Sequence, residues 1–167
     1  MHDLGDDGVF CEKTANIPVL DGGSFESYSW NTGEVERFID ADQEGDYILE
    51  FIDENGCIGT DSIHFDKQCP TAIFMANIFT PDGFDNPENE TFGVNAEDII
   101  SFTLYIYDRW GNEVFQTSSL EELWDGKRNN KSLEQGNYPW VLTYEGFRED
   151  GSTFQDTKMG TVHLVRG

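Results

Sequence analysis

The apolar residues of this chain recur at alternate positions in short runs, which is the period of a β-strand. Tyr47, Leu49 and Phe51 form one such set, and the alternation places all three on one face, where we expect core packing. Turn-forming residues, such as Asp21-Gly22-Gly23 and Asn55-Gly56, separate the runs. Short strands at this spacing, without a helical period between them, predict a β-sandwich.

A domain boundary is predicted at residues 67–70, where a strand-like run ends and a proline precedes the next run. Three further alternating sets follow it: Phe102, Leu104 and Ile106; Tyr138, Trp140, Leu142 and Tyr144; and Val162 and Leu164. A short segment at 95–100 is the candidate for a helical turn. The predicted fold class is all-β, with two small immunoglobulin-like β-sandwich domains in tandem, residues 1–68 and 69–167.

The charge of the chain is strongly acidic, with 33 acidic against 10 basic residues and a net charge of -23. Such a surface cannot neutralise phosphates, which argues against binding to nucleic acid or to an anionic membrane. The first interpretation is a solvated surface that keeps an extracellular protein soluble. The alternative is a surface with a specific purpose in cation binding.

Signatures of membrane insertion and of catalysis are missing from the sequence. There is no apolar run long enough to cross a bilayer, and residues 1–6 lack the features of a signal peptide. The three histidines, His2, His64 and His163, lie far apart, and neither zinc spacing nor a nucleophile elbow occurs. We therefore predict a protein that is not an enzyme and does not insert into a membrane.

Five motifs follow one another in the second half of the chain. They are Asn77-Ile78-Phe79-Thr80-Pro81-Asp82-Gly83, Ile106-Tyr107-Asp108-Arg109-Trp110-Gly111, Trp124-Asp125-Gly126, Gly136-Asn137-Tyr138 and Gly160-Thr161-Val162-His163-Leu164-Val165-Arg166. In this order they resemble the gliding motility-associated C-terminal domain of Bacteroidetes surface proteins, the type B sorting domain of the type IX secretion system. The resemblance extends from residue 70 to residue 167.

The resemblance implies a C-terminal secretion and sorting module of a large cell-surface protein, for example an adhesin. It implies export across the outer membrane to the cell surface or the extracellular space, directed by a signal peptide far upstream. The implied partner is a component of the type IX translocon or an outer-membrane adaptor protein, and we expect a monomer. A sorting signal must lie at the end of its protein, and this chain ends directly after a strand-like run. The alternative is an adhesive module, or one that binds carbohydrate or calcium.

The first half of the chain resembles the immunoglobulin-like or PKD-like repeats that often precede this sorting domain. The residues that carry this resemblance are the segments 28–33, 45–47 and 55–57. Of the three cysteines, Cys11 lies near the first strand and Cys57 lies in a hairpin turn. We expect a disulfide between these two, with Cys69 free or paired between chains.

A polar loop at residues 80–92 is the candidate metal site. Carboxylate and amide oxygens are the ligands that calcium prefers, and the loop clusters them at Asp82, Asp85, Glu88, Asn89 and Glu90. The family usually has a shorter loop with a second glycine, and the spacing is not that of an EF-hand. The alternative to calcium is a polar turn whose Asp and Asn side chains cap their own backbone.

Two segments are candidates for recognition by a partner. Arg109 and Trp110 are residue types that anchor interfaces, although Trp110 could instead close the end of the core while Arg109 pairs with a carboxylate. The last strand, with Gly160, Val162, Leu164 and an exposed Arg166, could be read by strand addition to its edge.

Trp124 stands in a third segment, before the Asp125-Gly126 turn. We expect its indole to pack beneath that turn. A carbohydrate platform is the alternative.

Overall fold

The computed structural model describes residues 2–84 and 87–166. The chain divides into two compact units, Met1–Pro70 with Arg148–Ser152, and Thr71–Phe147 with Thr153–Gly167. Strands form nearly all of the regular structure, which confirms the predicted all-β class. None of the helices in the described part is both long and apolar enough to span a bilayer.

The first unit is a sandwich of a four-stranded and a two-stranded sheet. Its strands are β1 (Gly8–Phe10), β2 (Val19–Asp21), β3 (Ser27–Trp30), β4 (Phe38–Asp40), β5 (Gly45–Ile52) and β6 (Ile58–Lys67). The larger sheet has the order β1-β6-β5-β3, and β2 pairs with β4 in the smaller one. Strands β1 and β6 are parallel, and the other pairs are antiparallel.

The core of the first unit lies between these sheets and takes residues from both. Leu20 and Ile39 come from the smaller sheet, and Tyr47 and Leu49 come from the larger one. The prediction for β5 is confirmed, because Tyr47 and Leu49 are buried and Phe51 packs against the same cluster.

The predicted disulfide is wrong. Cys11 bonds to Cys69, with 4.7 Å between their Cα atoms, and Cys57 is exposed with a free thiol. The parallel pairing of β1 with β6 explains the difference. Phe10 lies opposite Lys67, so Cys11 and Cys69 follow the two strands at the same end of the sheet. Cys57 stands in the hairpin turn before β6, where its N–H donates to the Asp53 carboxylate.

His64 on β6 lies between two carboxylates. Its Nδ1 is 2.7 Å from Oδ1 of Asp46 across the strand pair, and its Nε2 is 3.4 Å from Oδ1 of Asp66. The hydrogen bond to Asp46 raises the pKa of His64 above 6.5, opposed by partial desolvation and assisted by Asp66. The native protein therefore holds this proton at a pH where the unfolded chain releases it.

We expect the protonation of His64 to increase the free energy of unfolding of the first unit. The contribution is fully present below pH 6.5 and is lost as the pH rises through the raised pKa of His64. Denaturant unfolding at several pH values, compared between the parent and His64→Gln, measures it. If the variant keeps the full pH dependence of the parent in this window, another group is responsible.

The second unit is a β-sandwich with one five-stranded sheet and two two-stranded sheets. Its strands are β7 (Ala72–Met75), β8 (Ile78–Phe79), β9 (Val94–Glu97), β10 (Ile99–Tyr107), β11 (Glu113–Thr117), β12 (Lys127–Arg128), β13 (Lys131–Ser132), β14 (Gly136–Phe147) and β15 (Thr153–Leu164). One 3-10 turn spans Pro87–Asn89. The larger sheet has the order β11-β10-β14-β15-β8, while β7 pairs with β9 and β12 with β13.

The core of this unit confirms the alternating pattern of the sequence. The predicted sets on β10, β14 and β15 are all buried: Phe102, Leu104 and Ile106; Tyr138, Trp140, Leu142 and Tyr144; and Val162 and Leu164. Val94 belongs to the same cluster and Ile73 packs against it, and both lie on the two-stranded sheet of β7 and β9. This sheet and the five-stranded sheet therefore face each other across one apolar layer.

The predicted helical turn at 95–100 is wrong. Residues 94–97 form β9 and residues 99–107 form β10, with Asp98 between them at a φ of 52°. Aspartate tolerates this left-handed conformation better than most residues. A single residue therefore turns the chain from the smaller sheet into the larger one.

Candidate partner-binding surface

A tight turn joins β10 to β11 and presents Arg109 and Trp110. The Asp108 carboxylate holds it, because Oδ1 accepts the N–H of Trp110 at 2.8 Å and the N–H of Asn112 at 2.9 Å. The hydrogen bond from the Asn112 side chain is the largest cause that lowers the pKa of Asp108. Gly111 completes the turn at a φ of 82°. The turn thus keeps its shape without its two large side chains.

Trp110 points into solvent, with 79% of its surface exposed. The expectation that it could close the end of the core is therefore wrong. The Arg109 guanidinium lies over its ring, 5.5 Å from the centroid. Arg109 also pairs with Glu134 at 3.5 Å, as predicted for a carboxylate partner, but both side chains are largely exposed. An exposed pair of this kind contributes little to stability.

A groove of about 460 Å³ lies beside this turn. Residues 108–110 form one wall, and residues 133–138 form the other. Tyr138 reaches across the second wall, where its hydroxyl donates to the Glu134 carbonyl at 2.7 Å. The groove therefore combines aromatic, cationic and carboxylate groups on an ordered backbone.

A basic hairpin precedes the second wall of the groove. We use this name for residues 127–132, in which Lys127 pairs with Ser132 and Arg128 with Lys131. Its two-residue loop, Asn129-Asn130, has φ values of 51° and 62°. Two positive φ values are what a type I′ turn requires, and asparagine is among the residues that accept them. Arg128 and Lys131 are exposed.

Arg166 fastens the base of the basic hairpin. Its Nε donates to the Leu133 carbonyl at 2.7 Å, and its Nη2 donates to the Gly126 carbonyl at 2.8 Å. The Leu133 N–H also donates to the Gly126 carbonyl. The expectation that Arg166 stands exposed beyond the core is therefore wrong. It is half-buried and stabilises the local structure.

The other predicted recognition residues of β15 serve the core. Val162 and Leu164 are fully buried. A Cβ on Gly160 would lie 2.4 Å from the ring of Trp140, so glycine allows that ring to pack. Strand β8 covers the edge of β15 at His163 and Leu164. Strand addition further along β15 stays a prediction.

The polar loop of the candidate metal site shows backbone capping in its described part. Asp82 accepts the N–H of Phe84 at 2.9 Å, and the Glu90 carboxylate accepts the N–H of Gly83 at 2.9 Å. Glu88 and Asn89 lie in the 3-10 turn, and Asp85 falls outside the described residues. Within residues 2–84 and 87–166, no three His, Cys, Asp or Glu side chains cluster as metal ligands do. Calcium binding by this loop stays a prediction.

Trp124 lies in the core and not on the surface. It is 1% exposed, and its Nε1 donates to the Lys127 carbonyl at 2.9 Å. The prediction that it packs beneath the turn is confirmed, and the alternative of a carbohydrate platform is wrong. The feature that sequence reasoning missed is the basic hairpin, whose signal is the Asn-Asn pair between basic residues at 127–131.

Comparison with known proteins supplies one family match and several distant structural likenesses. No curated protein matches the chain. The human mucin-like protocadherin EC1-2 has a TM-score of 0.36 at 10% identity, over 96% of this chain and 97% of that chain. The protocadherin gammaB7 EC3-6 cis-dimer has a TM-score of 0.30 at 8% identity, over 97% and 46%. The protocadherin GammaB4 extracellular domain has a TM-score of 0.27 at 13% identity, over 89% and 26%.

The family match covers the second unit. The CHU_C Type IX secretion signal domain matches residues 73–163, which run from the second residue of β7 to the penultimate residue of β15. These residues make up more than half of the chain and include the Arg109–Trp110 turn and the basic hairpin. The protein therefore belongs to the family of type IX secretion signal domains.

Proposed function

We propose that this chain is the C-terminal secretion and sorting module of a large bacterial cell-surface protein. The observation that carries the proposal is the family match over residues 73–163, because a type IX secretion signal implies export to the cell surface or beyond. In this proposal the type IX machinery recognises the folded second unit and moves the attached protein across the outer membrane. The module binds a partner and does no chemistry itself.

The Arg109–Trp110 turn is the part of the module that we assign to recognition. A large indole that is 79% exposed adds nothing to the core, and tryptophan and arginine are the residues most enriched among interface hot spots. The Arg109 guanidinium that lies over the ring adds a positive charge and directional hydrogen-bond donors to this apolar surface. A translocon component or an outer-membrane adaptor that buries this ring would gain most of its binding energy there.

The first unit has a structural role in this proposal and not a role in recognition. We infer that it is an immunoglobulin-like or PKD-like repeat that separates the sorting module from the cargo. Its own sandwich core and its disulfide support a structural spacer.

Export of a fused reporter tests the function. The full chain is placed behind a signal peptide and a reporter enzyme, in a type IX-competent bacterium and in a strain without the type IX channel. We expect protease-accessible reporter on the surface of the first strain and periplasmic reporter in the second. Equal distribution of the reporter in the two strains would contradict the proposed function.

Replacing Trp110 by alanine tests the recognition surface. We expect surface display to fall about thirtyfold, because the loss of an interface hot spot typically removes about 2 kcal/mol of binding energy, which is about a thirtyfold loss of affinity. The control is Phe38→Ala in the first unit, since Phe38 is 55% exposed and also lies beneath an arginine, Arg37, at 4.8 Å. Equal display from both variants, with unchanged circular dichroism, would remove Trp110 from the recognition surface.

A further inference from the structure

Cations are concentrated at one end of the second unit. The turn, the basic hairpin and the residue that fastens it contain Arg109, Lys127, Arg128, Lys131 and Arg166, which are five of the ten basic residues of the chain. The acidic residues that interact with these cations include Asp108, Asp125 and Glu134. This end therefore carries a local excess of positive charge, whereas the chain as a whole has a net charge of -23.

Two of these cations have no carboxylate partner in the described part of the chain. Lys127 pairs with Asp125 at 2.7 Å, but no carboxylate of the described residues lies within ion-pair distance of Arg128 or Lys131. The two side chains also lie directly opposite each other across β12 and β13, and like charges in such a pair destabilise a hairpin. Two cations that repel each other and form no ion pair with the carboxylates of residues 2–84 and 87–166 point to an external anion.

The basic hairpin is also held in a defined position next to the groove. Its loop is a tight two-residue turn, and Arg166 fastens its base through two carbonyls. Glu134, two residues after the hairpin, pairs with Arg109. The charge of Arg128 contributes to the lowered pKa of Asp108, after the larger effect of the hydrogen bonds at that carboxylate. The hairpin and the Arg109–Trp110 turn thus form neighbouring parts of one surface.

We propose that the basic hairpin and the Arg109–Trp110 turn together bind an acidic, carboxylate-bearing segment of a protein partner. Arginine binds carboxylates in fork geometry, and Arg128 and Lys131, opposite each other in the basic hairpin, add two further cations to this surface. Trp110 provides the apolar anchor that protein interfaces use. Nucleic acid and an anionic membrane are poorer partners, because their extended charge would meet the acidic remainder of the chain. The inference rests on the proposed function and names the chemistry of its partner.

Binding of the full chain to a fluorescent deca-glutamate peptide tests this proposal at low salt. We expect Arg128→Glu with Lys131→Glu to weaken binding about tenfold or more, since two attractive charges become repulsive. The control is Lys67→Glu with Lys158→Glu, which changes the net charge equally at two exposed residues of β6 and β15. The control is expected to bind like the parent, and added salt is expected to weaken parent binding. Melting curves of both variants check that the fold is retained.

Three outcomes of the binding experiments would overturn the inference: no binding of the peptide by the parent, equal binding by the hairpin and control variants, or hairpin-dependent binding to phosphatidylglycerol vesicles but not to the peptide. The same variants in the reporter fusion separate this inference from the proposed function. If the parent is exported and the hairpin variant is exported equally well, the acidic partner is wrong and the secretion module stands. If the parent is not exported in a type IX-dependent manner, the secretion module is wrong whatever the peptide shows.

Discussion

The second unit is expected to lose about 3–5 kcal/mol of stability when Trp124 is replaced by alanine. Trp124 is fully buried, and its ring lies 5.2 Å from that of Phe79 and 5.0 Å from that of Tyr138. Its backbone also exchanges two hydrogen bonds with Phe92. Alanine would leave a cavity between the rings of Phe79 and Tyr138. It would also remove the hydrogen bond from the indole to the Lys127 carbonyl.

Trp110→Ala is the matched control, because it makes the same chemical change at an exposed site. We expect its effect on stability to stay within about 0.5 kcal/mol. Urea unfolding followed by circular dichroism measures both variants without depending on tryptophan fluorescence. Similar losses from the two substitutions would show that Trp124 does not have the packing role described above.

Removal of the Cys11–Cys69 disulfide is expected to cost the first unit about 4 kcal/mol, the loop-closure estimate for a bridge of this length. The two cysteines are 58 residues apart in sequence, so the bond closes almost the whole unit into one loop. Cys69→Ser, unfolded in urea under non-reducing conditions, measures the loss. The same substitution should abolish the cross-linked peptide that joins residues 11 and 69 in a non-reducing map.

Cys57→Ser is the control for this experiment. Cys57 is an exposed free thiol in a turn, so we expect a change in stability within about 0.5 kcal/mol. If Cys57→Ser destabilises the unit while Cys69→Ser does not, Cys57 and not Cys69 is the partner of Cys11. A peptide that joins Cys57 to Cys11 in the non-reducing map would establish the same pairing directly.

The proposed recognition surface and the core both contain tryptophan, but only the core residues stabilise the fold, and this difference decides which variants can test export. The Trp110 side chain is exposed, and hydrogen bonds to the Asp108 carboxylate hold its turn without the indole. Val162 and Leu164 instead pack in the core, and Gly160 leaves room for the Trp140 ring. A substitution in the second group would reduce display through misfolding. Variants of Trp110, Arg128 and Lys131 change the surface alone, so they report on recognition.

The strands and their buried faces follow from the sequence alone, because a period of two is a local property of the chain. The sets on β10, β14 and β15 and the pair Tyr47 and Leu49 needed only their own neighbours to be assigned. The same holds for the order of motifs that led to the secretion-signal family, whose match to residues 73–163 agrees with them. The Arg109–Trp110 pair of the proposed recognition site was also among the sequence candidates, and the structure places Trp110 in solvent.

Contacts between residues that are distant in sequence became known from the tertiary fold. The parallel pairing of β1 with β6 joined Cys11 to Cys69, and no local pattern distinguishes that pairing from an antiparallel one. The two tryptophan motifs looked alike in sequence, yet Trp124 is enclosed by rings from other strands while Trp110 lies open to solvent. Arg166 was assigned to solvent because its carbonyl partners lie 33 and 40 residues earlier in the chain. Burial and partnership depend on contacts between segments that are far apart in sequence, and a local pattern contains no record of those contacts.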